Sequence, residues 1–92
     1  MLLYQVDLRK PKFRLLDILT GSGHIDNLAY RDGVFYATDQ YYSKVINYRI
    51  ERDRIKQVGE MIGYDFPHGL DIRDDLLAVS NYGDNSVVIN RL

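Results

Sequence analysis

Apolar and polar residues alternate along this chain in short runs broken by polar turns, and no stretch keeps the spacing of an amphipathic helix. Asn27-Leu28-Ala29-Tyr30-Arg31 is one alternating run, and Asp32-Gly33 follows it. Asp-Gly between two apolar runs predicts a type I′ hairpin. Val34 to Thr38 is then continuously β-prone, as a strand covered on both faces should be. The polar turn Asp39–Ser43 leads to Lys44–Ile50, and the charged turn Glu51–Arg54 leads to a further strand, Ile55 to Ile62. Continued along the chain, the pattern predicts strands near 3–8, 13–20, 27–31, 34–39, 44–50, 55–62, 69–73, 76–81 and 86–91, and negligible helix.

The pattern repeats. Shifted by 42 residues the chain aligns with itself without a gap. Gly21 falls on Gly63, Leu28 on Leu70, Arg31 on Arg73, Asp32 on Asp74, Val45 on Val87 and Arg49 on Arg91. Conservative pairs fill the intervals, among them Phe13 with Ile55, Leu19 with Met61, Phe35 with Leu77 and Thr38-Asp39 with Ser80-Asn81. The fold class expected is all-β, built of antiparallel four-stranded meanders. A meander of this period is that of a β-propeller blade, in which both faces of each sheet meet neighbours. A sandwich is the other architecture open to such strands, although it exposes one face of each sheet and should alternate more cleanly. With strands lettered A to D from the axis outward, the chain reads C, D, A, B, C, D, A, B, C. That is about two blades of an incomplete ring: residues 1–20 end one blade, 24–62 form a second, and 67–92 form a third without its last strand. Phe35 and Leu77, matched on second strands, should both be largely buried.

Phe66-Pro67-His68-Gly69-Leu70-Asp71-Ile72 followed by Leu76 to Val88 resembles blades of lactonase-like and NHL-like propellers, most closely over residues 66–90. The resemblance rests on the Pro-His-Gly that opens the innermost strand and on Leu77-Ala78-Val79-Ser80-Asn81-Tyr82-Gly83 in the second. It implies the fold and the blade boundaries and, for lactonase-like members, an enzyme acting on sugar lactones. The first copy departs from the pattern, with Ile25-Asp26-Asn27 in place of Pro-His-Gly. The chain has no Trp, so the Trp-Asp pair of WD40 repeats is absent.

Composition excludes more than it identifies. An apolar fraction of 46% with 27% charged residues belongs to an ordinary soluble globular protein. A net charge of −1 gives no drive toward nucleic acid or an anionic membrane, and Arg9-Lys10-Pro11-Lys12 is too short a basic patch to supply one. No apolar run reaches membrane-spanning length. The first residues read as a strand without a basic leader, so no signal peptide is expected. The absence of cysteine removes disulfides and thiolate metal sites but leaves the compartment open.

Candidate chemistry collects at one end of the strands. In an antiparallel blade the turns alternate between two faces, and one face should receive Gly21–Asp26, Gln40–Ser43, Gly63–His68 and Tyr82–Asn85. Asp26 and His68 are equivalent positions at the start of innermost strands, near a central channel. Together they could hold a divalent metal ion or act as general acid or base. Equally, Asp26 could cap its own turn and His68 bond a neighbouring blade. Asp39 and Asn81 are a second matched pair, either ligand-binding or turn-forming. Tyr41 and Tyr42, with Tyr82, suit a loop that binds a sugar or a protein, while Tyr30, Tyr36 and Tyr48 suit inter-blade core. Gly21-Ser22-Gly23 is followed by neither a Walker lysine nor a helix and reads as a turn. No serine has the Gly-x-Ser-x-Gly setting of a hydrolase, so catalytic residues stay unknown. The leading expectation is a binding module with a loop-rich face for a small polar ligand or protein; the alternative is part of a lactonase-like hydrolase. Expected partners are further blades in a longer chain, or copies of this chain closing a ring.

Overall fold

The computed structural model describes residues 1–10, 12–21 and 23–92. Pro11 and Ser22 fall outside them, and with them the centres of the Arg9–Lys12 patch and the Gly21–Gly23 turn. Among the described residues there are nine strands: β1 Leu2–Asp7, β2 Lys12–Ile18, β3 Ile25–Arg31, β4 Val34–Asp39, β5 Lys44–Glu51, β6 Arg54–Met61, β7 Pro67–Arg73, β8 Leu76–Asn81 and β9 Ser86–Arg91. All ladders are antiparallel, forming three sheets of two, four and three strands in the orders β1-β2, β3-β4-β5-β6 and β7-β8-β9. Among the described residues no helix is long and apolar enough to cross a membrane.

The repeat of the sequence is a repeat of register in the second and third sheets, whereas β1 sits on β2 two residues out of step with β5 on β6: Leu3 lies opposite Asp17, while Gly59, the counterpart of Asp17, lies opposite Asn47. β3 and β7 begin at Ile25 and Pro67, β4 and β8 at Val34 and Leu76, and β2 and β6 at Lys12 and Arg54, each pair 42 residues apart. Even the irregularities match, since β3–β4 slips between Ile25 and Leu28 and β7–β8 slips between Pro67 and Leu70. β3 and β7 start two residues earlier than the alternation indicated, because Pro67 is tolerated as the first residue of a strand and the slip follows it.

Period-two alternation gives the middle sheet two apolar faces. Tyr36 and Val45 point one way and join Leu70, Leu77 and Val79 of the third sheet and Tyr64 of the connection that precedes it. Ala37, Ile46, Tyr48 and Ile55 point the other way, against Met1, Leu3 and Leu19 of the first. The sheets therefore stack face to face, with β7 packed on β3 and β4, and β2 packed on β6. Two expectations about the core need correction. Leu77 is fully buried, but Phe35 is only partly so, because the first sheet has no strands opposite β3 and β4. That gap leaves a cavity of about 100 Å³ lined by Met1, Leu3, Leu28, Phe35, Tyr48 and Ile55, among others. For the same reason Tyr30 is 60% exposed, its ring tilted against that of Phe35 with centroids 4.8 Å apart, and is not core as Tyr36 and Tyr48 are.

Turn chemistry follows the dihedrals. Asp32 and Gly33 both take positive φ, 49° and 82°, the type I′ geometry that the Asp-Gly pair indicates. The β5–β6 turn does the same with Arg52 at 51° and Asp53 at 62°, neither of them glycine.

Candidate functional site

The register slip that opens β3 and β7 turns Asp26 and His68 toward each other across the junction of the second and third sheets. Asp26 Oδ2 lies 2.7 Å from His68 Nδ1, with Asp26 23% exposed at its side chain and His68 54%. His24 Nε2 stands 3.9 Å from the other carboxylate oxygen. Gln40 Nε2 also approaches His68 Nδ1, at 2.8 Å. One ring nitrogen carries at most one proton, so with the carboxylate at this distance Nδ1 is the donor. A half-turn of the Gln40 amide, placing Oε1 against the shared proton, removes the donor–donor clash. The arrangement directs His68 Nε2 away from Asp26, and among the described residues that nitrogen has no hydrogen-bond partner.

Backbone contacts lock the pair in place. Thr38 Oγ1 accepts from Asn27 N at 3.1 Å and donates to His68 O at 2.7 Å, bridging the two sheets beside the pair. Ser43 Oγ accepts from Phe66 N at 3.2 Å, tying the β4–β5 turn to the start of β7. Within each unit the loops are pinned alike: Gln40 N donates to His24 O, and Tyr82 N to Phe66 O.

Asp39 and Asn81 do not reach this cluster. Both are buried and hold loop backbone, Asp39 Oδ2 accepting from Gly23 N at 3.0 Å and Asn81 Oδ1 from Asp65 N at 3.1 Å. Asp39 Oδ1 also accepts from Tyr42 N. The approach at Gly23 is close enough that a Cβ there would sit 2.5 Å from Asp39 Oδ1 and 2.7 Å from the Tyr41 Cβ. The buried pair thus holds loop backbone, the turn-forming role that the matched positions also allowed.

The aromatic residues divide. Tyr82 is 70% exposed, and its ring lies 6.1 Å from that of His68, forming one wall of the cluster. Tyr41 and Tyr42 are exposed and pack edge to face on each other at 4.9 Å, with Lys44 Nζ 5.5 Å from the Tyr42 ring. Lys44 also donates to Glu60 at 2.7 Å, which raises its pKa. Tyr64, read from sequence as a residue of the loop face, is buried in the core, and its hydroxyl donates to Asn90 Oδ1 at 2.6 Å. Sequence reasoning set His24 and Gln40 on the loop face but gave neither a role in the site; Gln40 has no mark in the repeat, where Tyr82 is its counterpart.

Among the described residues no group of three or more His, Asp, Glu or Cys side chains is arranged to hold a metal ion. Asp26 and His68 meet each other directly, which spends one carboxylate oxygen and one ring nitrogen on the pair. What the geometry defines is an all-β repeat protein with a polar, histidine-bearing site where two sheets meet. No family model, curated protein or solved structure matches the chain.

Proposed function

We propose that this chain is a segment of β-propeller scaffold, each sheet a blade, and that its loop face binds a small polyhydroxylated ligand over Asp26 and His68. The observation that carries the reading is the 2.7 Å Asp26–His68 contact, made between two sheets and left half-open to solvent. The 42-residue repeat, the face-to-face stacking and the adjacency of the first strands β3 and β7 support the scaffold. An oriented imidazole, a carboxylate, the Gln40 amide and the Tyr82 ring supply hydrogen-bonding groups beside an aromatic face, the pairing that a sugar ring needs. Thermal shift with a panel of monosaccharides, sugar lactones and divalent chlorides tests this. A stabilising sugar or lactone should lose its effect in both His68→Ala and Tyr82→Ala. A hit indifferent to both substitutions places binding elsewhere.

One observation favours a second, hydrolytic reading. Asp26 holds the Nδ1 proton of His68 and leaves Nε2 outward, the arrangement that makes imidazole a general base toward water. On that reading sugar-lactone opening, followed by acid release, falls steeply in Asp26→Asn as well as in His68→Ala. Turnover that survives in His68→Ala excludes it.

A further inference from the structure

We propose that a second copy of this chain docks head to tail on the free face of the β7-β8-β9 sheet, its β3 lying there as β7 lies on β3 within one chain, and that β9 of the first copy displaces β1 of the second.

The repeat itself says what covers that face. Val45 of the middle sheet is completely buried by the third sheet, whereas its counterpart Val87 is 65% exposed. On the opposite side of the molecule Leu28 is 49% exposed, although its counterpart Leu70 is buried in the core. One copy therefore shows the uncovered half of an interface on its third sheet, and the complementary half on its second. Volumes agree as well. The internal interface sets Tyr36 among Leu70, Leu77 and Val79. Between copies Ala78 takes the place of Tyr36, and Phe35 the place of Leu77, so the bulk lost on one side returns on the other.

Polar groups repeat the same argument. Thr38 Oγ1 spends its proton on His68 O across the sheets at 2.7 Å, but its counterpart Ser80 turns back on its own Gly69 O at 3.4 Å. In a docked copy the counterpart of His68 is Asp26, so Ser80 has Asp26 O to bond. The side chains then alternate: His68 uses Nδ1 on Asp26 of its own chain and presents Nε2 to Asp26 of the second copy.

Docking sets two strands on one slot beside β2, because β1 is the repeat counterpart of β9, Leu3 falling on Val87 in sequence, although β1 sits on β2 two residues out of the register that β5 keeps on β6. β2 stays on β6, where Asp17 Oδ2 holds Ile55 N at 2.7 Å. It exchanges its β1 ladder for one with β9, giving a composite sheet β7-β8-β9-β2 whose last strand belongs to the second copy. The exchange trades ladder for ladder, the economy by which strands swap between protomers.

Sedimentation velocity of the full chain across a concentration series tests the docking. The chain should associate as concentration rises, and Leu28→Glu and Val87→Glu should each weaken association by about tenfold or more, since each buries a charge. Both positions are exposed in one copy, so the dilute variants keep the wild-type circular dichroism and melting temperature. Mixed together, the two variants should form a one-to-one dimer that grows no further, because each retains the half that the other lacks. Hydrogen exchange on the associated wild type should show faster amides in Leu2–Asp7 and slower ones in Ser86–Arg91. A chain that stays monomeric throughout, association that both variants preserve, or a mixture that fails to dimerise overturns the docking. Unchanged protection of Leu2–Asp7 in the assembly overturns the displacement. These outcomes leave the sugar-binding test at Asp26 and His68 of the single chain untouched.

Discussion

Asp17 shows how much one side chain does at a sheet boundary. Its carboxylate accepts from the Ile55 N–H on an outer strand and stands 3.8 Å from the Arg54 guanidinium, with 14% of the side chain exposed. Hydrogen bonds to a charged acceptor contribute about 1.5–3 kcal/mol, and partial solvent access trims that figure. Asp17→Ala should therefore cost about 1–2 kcal/mol by urea unfolding, and Asp17→Asn less; an unchanged midpoint in Asp17→Ala would show that water replaces the carboxylate. Tyr64 and Tyr48 act through pH. Burial lifts both phenols above their ordinary value of 10.0, with the Asp39 charge adding to the effect at Tyr48. The unfolded chain releases these protons first, so their contribution is complete below about pH 10 and is lost as pH climbs through the folded values. Tyr64→Phe should flatten the alkaline fall of the unfolding midpoint; a fall as steep as wild type would move the effect to other groups. The sequence could show that Asp26 and His68 are equivalent, as Asp39 and Asn81 are. It could not show that the first pair touch and the second do not, since contact depends on the spacing of sheets that residue offsets do not encode.

At the scale of elements, turns separate what was legible from what was not. Asp32-Gly33 is a hairpin signature, and both residues adopt the positive φ it implies. Arg52-Asp53 carries no such signature, yet it closes β5 on β6 with the same geometry. Two residues with side chains held in the left-handed region cost about 1 kcal/mol each or somewhat more. Asp53→Gly relieves one of them, and part of that gain is offset by the freedom glycine has when unfolded. A net stabilisation of about 0.5 kcal/mol in urea is expected. A destabilised Asp53→Gly would mean that the carboxylate contributes more than the strain costs. Strand positions were readable almost throughout, because alternation and the repeat agree. The starts of β3 and β7 were not, because the slip after Ile25 and Pro67 breaks the alternation where the strands begin.

At the scale of the whole chain, equivalence in sequence does not bring equivalence in energy. Phe35 and Leu77 match in the repeat and occupy the same place on β4 and β8. Leu77 lies between its own strand neighbours and the four-stranded middle sheet, and is wholly buried. Phe35 faces a sheet of only β1 and β2, and one side of its ring borders the 100 Å³ cavity. Burial stabilises by the surface that neighbours cover, so the larger residue contributes less here. Leu77→Ala should cost about 3–4 kcal/mol, within the usual range for an emptied leucine site. Phe35→Ala, which enlarges a space already open, should cost about 1–2 kcal/mol less than Leu77→Ala despite removing more atoms. Paired urea melts of the two variants at low protein concentration decide the order. If Phe35→Ala proves the costlier change, the ring is covered in solution by strands that one copy of the chain does not supply. Raising the concentration should narrow the gap between the variants if a second copy provides them, because association then buries Phe35 as the middle sheet buries Leu77.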